Sequence, residues 1–240
     1  MPEQQQNTPA SSDKQKPGNM LANIGFNIVI PTLILTKLSG DDYLGPLYAI
    51  VVALAFPIGF GLREYTQTHK TNFFSLLGIF SVVMTGGMSL LQLDPQYIAI
   101  KEAAIPAIFG LATLFSIRTK YPLVRTFLFN EQVLQIHKVK EALEQHQAEQ
   151  TFEQKLTMAS YMVAGSFFMS SVLNYVLAKI ILVSEPGTTA FTEELGKMTA
   201  LSFPVIAVPS TLVLMATLFY LLHHIQKLTH LKVDDIFNEV

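Results

Sequence analysis

Apolar residues gather into six long runs along the chain, at about 19–38, 43–62, 73–93, 97–117, 158–183 and 199–223. Each is close to the ~20 residues that cross a ~30 Å hydrocarbon core at ~1.5 Å per residue. The pattern predicts an all-α fold, a polytopic transmembrane bundle of six helices. The first run is too long for a signal-peptide core and lacks a small-residue cleavage site, so it is expected to stay as a helix. The linking turns SGDD and DPQ are short, and a helix does not continue through Asp94-Pro95. Runs one and two, and runs three and four, are therefore expected as antiparallel hairpins.

The polar pieces between these runs divide the chain further. Residues 1–18 (MPEQQQNTPASSDKQKPG) are too polar to offset the entropy of ordering and read as a disordered tail. Residues 19–117 carry the first four membrane helices and 158–223 the last two, with a soluble segment at 118–157 and a tail at 224–240. Within the soluble segment, Pro122 breaks the fourth helix, and Val124, Phe127 and Leu128 at i, i+3, i+4 predict a short interfacial amphipathic helix. After Asn130 a second helix is expected, exposed on one face, with a narrow apolar stripe of Val133, Ile136, Val139 (or Lys140) and Leu143. Ile136 and Leu143 are its expected partner-docking positions.

Charge sets the orientation. Lys14, Lys16, Arg63, Lys70, Arg118, Lys120, Arg125, Lys138, Lys140, Lys155, Lys227 and Lys232 fall on the side that holds both termini; only Lys37, Lys101, Lys179 and Lys197 fall on the other. The positive-inside rule then makes both termini cytoplasmic. Only 14% of the residues are charged, against roughly 25% in a soluble domain, so lipid is the expected solvent of most of the surface. A net charge of -2 with no basic patch argues against nucleic acid. The chain has no cysteine, which removes disulfides, thiolate metal sites and S-acylation.

Lys101 and Glu102 are the adjacent ionisable pair that the span lengths push toward the bilayer. The apolar part of run four, 103–117, is 15 residues or roughly 22 Å, so both charges are expected at or just inside the outer interface. Neighbours on a helix diverge by about 100°, so the two are expected to face different neighbours. They read either as a substrate- or proton-handling pair or as a snorkelling Lys beside a Glu held by another helix. Asn19, Asn23 and Asn27 share one face of the first helix, with Pro31 beyond. That stripe, and Asn174 in run five, could hold an ion or polar solute, or could bond between helices. Gly86, Gly87 and Gly110 are expected at close helix contacts, as are Gly59, Gly61 and Gly78. Prolines at 31, 57, 106, 204 and 209 are expected to kink their helices, as in transporters with broken helices. His223, His224 and His230 lack the spacing of a metal site. No phosphate loop, metalloprotease motif or Ser/His couple is present, so no catalytic residue, metal or cofactor is expected.

The stretches IPTLILTKLSGDDYLGPLYAIVVALAF, GGMSLLQLDPQYIAIKEAAIPAIFG and LNYVLAKIILVSEPGTTAFTEELGKMTALSF touch every run. Together they resemble the intracellular septation protein A family of bacterial inner-membrane proteins. The likeness centres on Gly86-Gly87 with Ser89-Leu90, then Asp94, Tyr97-Ile98 and Lys101, and on Leu173-Asn174 with Phe191 at loop distance. In that family the basic residue is followed at once by Pro-Thr, and tryptophans are present; here Lys101 precedes Glu102-Ala103-Ala104-Ile105-Pro106 and there is no Trp. The resemblance implies a non-enzymatic inner-membrane protein of a divergent branch, supporting envelope integrity or division through contacts with envelope or division proteins. The alternative is a small secondary transporter, or a half-transporter acting as a homo-oligomer.

Overall fold

The computed structural model describes residues 25–68, 73–119, 122–128 and 134–237, and these are helical apart from turns and one isolated bridge between Leu134 and Phe237. The helices are α1 (Gly25–Lys37), α2 (Gly45–Thr68), α3 (Phe73–Leu90), α4 (Pro95–Ser116), α5 (Leu123–Leu128), α6 (Ile136–Gln145), α7 (Glu149–Ile181), α8 (Thr189–Ser202), α9 (Val208–Thr229) and α10 (Val233–Ile236). Four stretches are long and apolar enough to cross a membrane: Gly45–Arg63, Pro95–Ser116, Glu149–Ile181 and Thr189–Thr229. Gly25–Lys37 and Leu76–Leu90 are shorter apolar helices. The 1–18 tail, Asn19, Asn23, Lys70, Asn130 and Val133 lie outside the described residues, as do the side chains of Phe127 and Leu128.

Helix boundaries depart from the hydropathy pattern where polar residues continue a helix out of the apolar run. α7 starts at Glu149 rather than 158, because EQTFEQKLT is rich in strong helix formers. Its 33 residues extend roughly 50 Å, well beyond a ~30 Å core. The last helical stretch likewise starts at Thr189 rather than 199, where the Thr188 hydroxyl caps it by accepting from the Phe191 amide at 3.2 Å.

Proline shapes the interruptions. Pro31 follows a π-helical turn at Gly25–Val29, and Pro204 lies within a second at Phe203–Ala207, with Pro209 just after it. A proline cannot donate to the i−4 carbonyl and its ring crowds that carbonyl, so the helix widens locally. Pro57 and Pro106 sit inside α2 and α4.

Two apolar cores occupy opposite ends of the bundle. One joins α1, α2, α4, α7 and α8 through Ile34, Ile50, Ile98, Leu177 and Phe191. The other is a cap in which Ile136, Val139 and Leu143 of α6 pack with Phe152 and Leu156 of α7, Leu221 and Ile225 of α9, and Ile236 of α10. The α6 stripe that the sequence offers to a partner is thus covered by the chain itself: Ile136 and Leu143 are 8% and 3% exposed. The tail closes over it, with the Gln135 amide donating to the Ile236 carbonyl at 2.8 Å and Lys138 paired with Asp235.

Candidate functional site

α4 packs most extensively against α7, and only slightly against its hairpin partner α3. Phe168 of α7 lies across Gly110, where an added Cβ would meet its ring at 3.1–3.2 Å, and the Ser171 hydroxyl donates to the Ala103 carbonyl at 2.8 Å. α3 leans instead on α2, where Gly86 receives Leu54 and Gly61 receives Ile79. A Cβ at Gly87 would meet nothing within 4 Å, so no contact there requires glycine. A further close approach, at a glycine that the span pattern does not mark, is Gly196 of α8, which lies against Thr36, Leu35 and the Thr32 carbonyl of α1.

The gap between α3 and α4 is bridged by Lys101. Its Nζ donates to the Ser81 carbonyl (3.1 Å), Ser81 Oγ (2.9 Å) and Thr85 Oγ1 (2.6 Å), and pairs with Glu102 Oε1 at 2.7 Å. Four acceptors thus surround three ammonium protons. Thr85 Oγ1 also stands 3.2 Å from Glu102 Oε1 and 3.1 Å from the Ser81 carbonyl. The expectation that the two charges face different neighbours therefore fails. Their Cα–Cβ bonds do diverge, but a four-carbon stem and a two-carbon stem both reach the same hydroxyls.

The ammonium lies beside the middle of α3 and not beside its end. Ser81 lies nine residues before Leu90, roughly 13 Å along α3 and near its midpoint, and the Lys101 side chain is 6% exposed against 23% for Glu102. A buried ammonium is tolerated there because every proton has an acceptor.

Beside this pair is a cavity of about 560 Å³. Every apolar helix contributes to its wall: Asn27 and Pro31 from α1, Ala53 and Pro57 from α2, Ser81, Thr85 and Ser89 from α3, Glu102 from α4, Ser170 and Asn174 from α7, and Thr199, Ser202 and Ser210 from the α8–α9 arm. Both π-helical turns reach it, through Asn27 and through Phe203, Ile206 and Ala207. Its size lies in the ~300–1,000 Å³ range of small-molecule sites. Glu102 is the one charged residue in this wall among the described residues.

The hydroxyls on the wall are turned to their own helices. Thr199 donates to the Leu195 carbonyl (2.9 Å), Ser202 to Met198 (2.8 Å), Ser210 to Ile206 (2.7 Å) and Ser89 to Thr85 (2.8 Å). Ser170 Oγ and Ser210 Oγ are 2.6 Å apart, which ties α7 to α9, and Asn174 Nδ2 donates to the Ser170 carbonyl at 2.8 Å. Of the sequence-derived polar positions, Asn27, Glu102 and Asn174 line one space and Lys101 stands behind it. The ladder Ser81, Thr85, Ser89 lines it too, a set not expected from the apolar runs although its i, i+4, i+8 spacing is visible in the sequence.

At the cap end, His224 Nδ1 is 2.8 Å from the Tyr220 carbonyl, and the His146 and His230 rings meet edge-on at 4.9 Å. No group of three metal-ligating side chains forms among the described residues. No protein-family model, curated protein or solved structure matches this chain, so these comparisons do not identify it as a septation protein.

Proposed function

We propose that this chain is a small secondary carrier that crosses the membrane six times, with both termini cytoplasmic, and takes a solute into the central cavity. The observation that carries this reading is the wall itself: all six apolar helices converge on one 560 Å³ space with a paired carboxylate in it. Two π-helical turns and three prolines, Pro31, Pro57 and Pro204, lie at or beside that wall. Such interruptions give a bundle local places to bend around a fixed site. A role through contacts with envelope or division proteins would use Ile136 and Leu143 as its docking face, and α7, α9 and α10 already cover that face.

The absence of native cysteine makes the test clean. In membrane vesicles, Ser202→Cys on the cavity wall is expected to react with a water-soluble thiol reagent from at least one aqueous side. Phe219→Cys, on an exposed apolar face, is expected to stay inert. A Ser202→Cys that reacts from neither side would rule out a solute path through the cavity.

A further inference from the structure

We infer that the cavity selects an organic ammonium, a protonated amine carrying an apolar body, held at Glu102. This rests on the carrier reading and names the ligand class of the same site.

Donors and acceptors on the wall are unequal in number. Six wall positions, Thr85, Ser89, Ser170, Thr199, Ser202 and Ser210, have acceptors within hydrogen-bond reach on their own or neighbouring helices. A hydroxyl that has donated its one proton still has lone pairs to offer. Asn174 Nδ2 places one of its two protons on the Ser170 carbonyl, and its Oδ1 adds a further acceptor. Among the described residues the protons left over are those of Ser81 Oγ and the second Asn174 N–H, fewer than the lone pairs on offer, and that balance suits a ligand that brings its own N–H groups.

Charge points the same way. The Lys101 ammonium is enclosed by Ser81, Thr85 and Glu102 and does not line the cavity, so it is not placed to receive an anion. Glu102 does line it, with Oε1 held by Lys101 and no hydrogen bond to Oε2 among the described residues. The pair thus presents the negative end of its dipole to the space. Leu54, Val82, Met198, Ile206 and the Phe203 ring supply the apolar surface for the rest of the ligand.

Glu102 is the one carboxylate that a cation entering the cavity would meet among the described residues. The only other charged group against it among the described residues is Lys101. The facing residues of α3 are the hydroxyls Ser81 and Thr85, and α1, α2, α7, α8 and α9 place no titratable side chain in the wall.

The test uses the full chain carrying Ser202→Cys in lipid nanodiscs, and three probes of one shape: 3-phenylpropylammonium, 3-phenylpropanol and 3-phenylpropionate. The ammonium is expected to slow thiol labelling by about tenfold, at concentrations where the alcohol and the carboxylate have no effect. Glu102→Gln should abolish that protection and Glu102→Asp should keep part of it. Protection by the carboxylate or alcohol equal to that by the ammonium, or full protection in Glu102→Gln, overturns the ligand class and leaves the carrier reading standing. So does failure of the ammonium to protect a cysteine that labels freely. A cysteine that never labels overturns both.

Discussion

The cap and the cavity are packed by opposite rules, although α7 and α9 run through both. In the cap the apolar side chains turn inward and the charges outward: Val139 and Ile236 are fully buried, while Arg125–Glu153 and Lys138–Asp235 pair in the open. Around the cavity the order inverts. Phe219, Leu212 and Ile180 are 63–67% exposed on the outer face, and the Lys101–Glu102 pair lies within. In water, burial of apolar area drives packing until space is filled. In lipid that force between helices is absent, and contacts depend on small residues and polar bonds. Polar groups then hold α3 at a distance from α4 without filling the space between, and a void survives.

The largest effect should come from breaking the ion pair from the lysine side. Lys101→Met leaves Glu102 with only Thr85 and is expected to cost about 3–5 kcal/mol, as when a buried pair loses one partner. Glu102→Gln leaves Lys101 three neutral acceptors on α3 and should cost about 1 kcal/mol. Reversible unfolding in mixed micelles measures both; equal losses would mean that the α3 hydroxyls do not sustain the ammonium. The double variant should recover part of the Lys101→Met loss.

Next in size is a contrast in truncation. Leu143→Ala opens a hole in a filled cap and should cost about 2–5 kcal/mol. Val82→Ala, on a wall that already faces empty space, loses little beyond the transfer term and should cost about 1 kcal/mol or less. The reverse substitution inverts the order: Ala142→Leu overpacks the cap by about 1–3 kcal/mol, whereas Thr199→Phe enters the void with little loss of stability and should block Ser202→Cys labelling. Comparable penalties at the two sites would mean that the cavity closes in the lipid-embedded protein.

Much of this contrast was legible in the sequence, and the illegible part has a physical cause. Hydropathy over ~20 residues locates the apolar helices, because each run reports its own solvent. It does not report where a helix continues into water, so α7 and α8 begin earlier than expected. The α6 stripe is equally clear in sequence, but a stripe says only that something covers it; that the cover is α7, α9 and α10 depends on long-range packing. At Lys101 the argument from backbone direction fails because side-chain length outweighs a 100° divergence when a hydroxyl ladder stands within reach. The cavity is a property of what does not meet, and no local pattern encodes it.

The smallest effect belongs to the clip that holds the tail on the cap. Lys138 Nζ lies 2.6 Å from Asp235 Oδ1, and its hydrogen bond, followed by its charge, holds the Asp235 carboxyl below the ordinary aspartate range. A carboxyl lowered in this way contributes above its ordinary range, and that contribution is lost as pH falls through the lowered one. Both side chains are solvent-exposed, so salt should weaken the pair as well. The amide to watch is that of Gln135, whose bond to the Ile236 carbonyl ties α6 to the tail. Its hydrogen-exchange protection should fall modestly below pH 4 in the parent, and start lower and vary less with pH in Lys138→Met. Global stability should hardly change, because Ile236 remains in the cap core. An unchanged acid response in Lys138→Met would assign the tail's hold to that apolar contact alone, which would make the cap's exposed charges as dispensable as the cavity's buried ones are not.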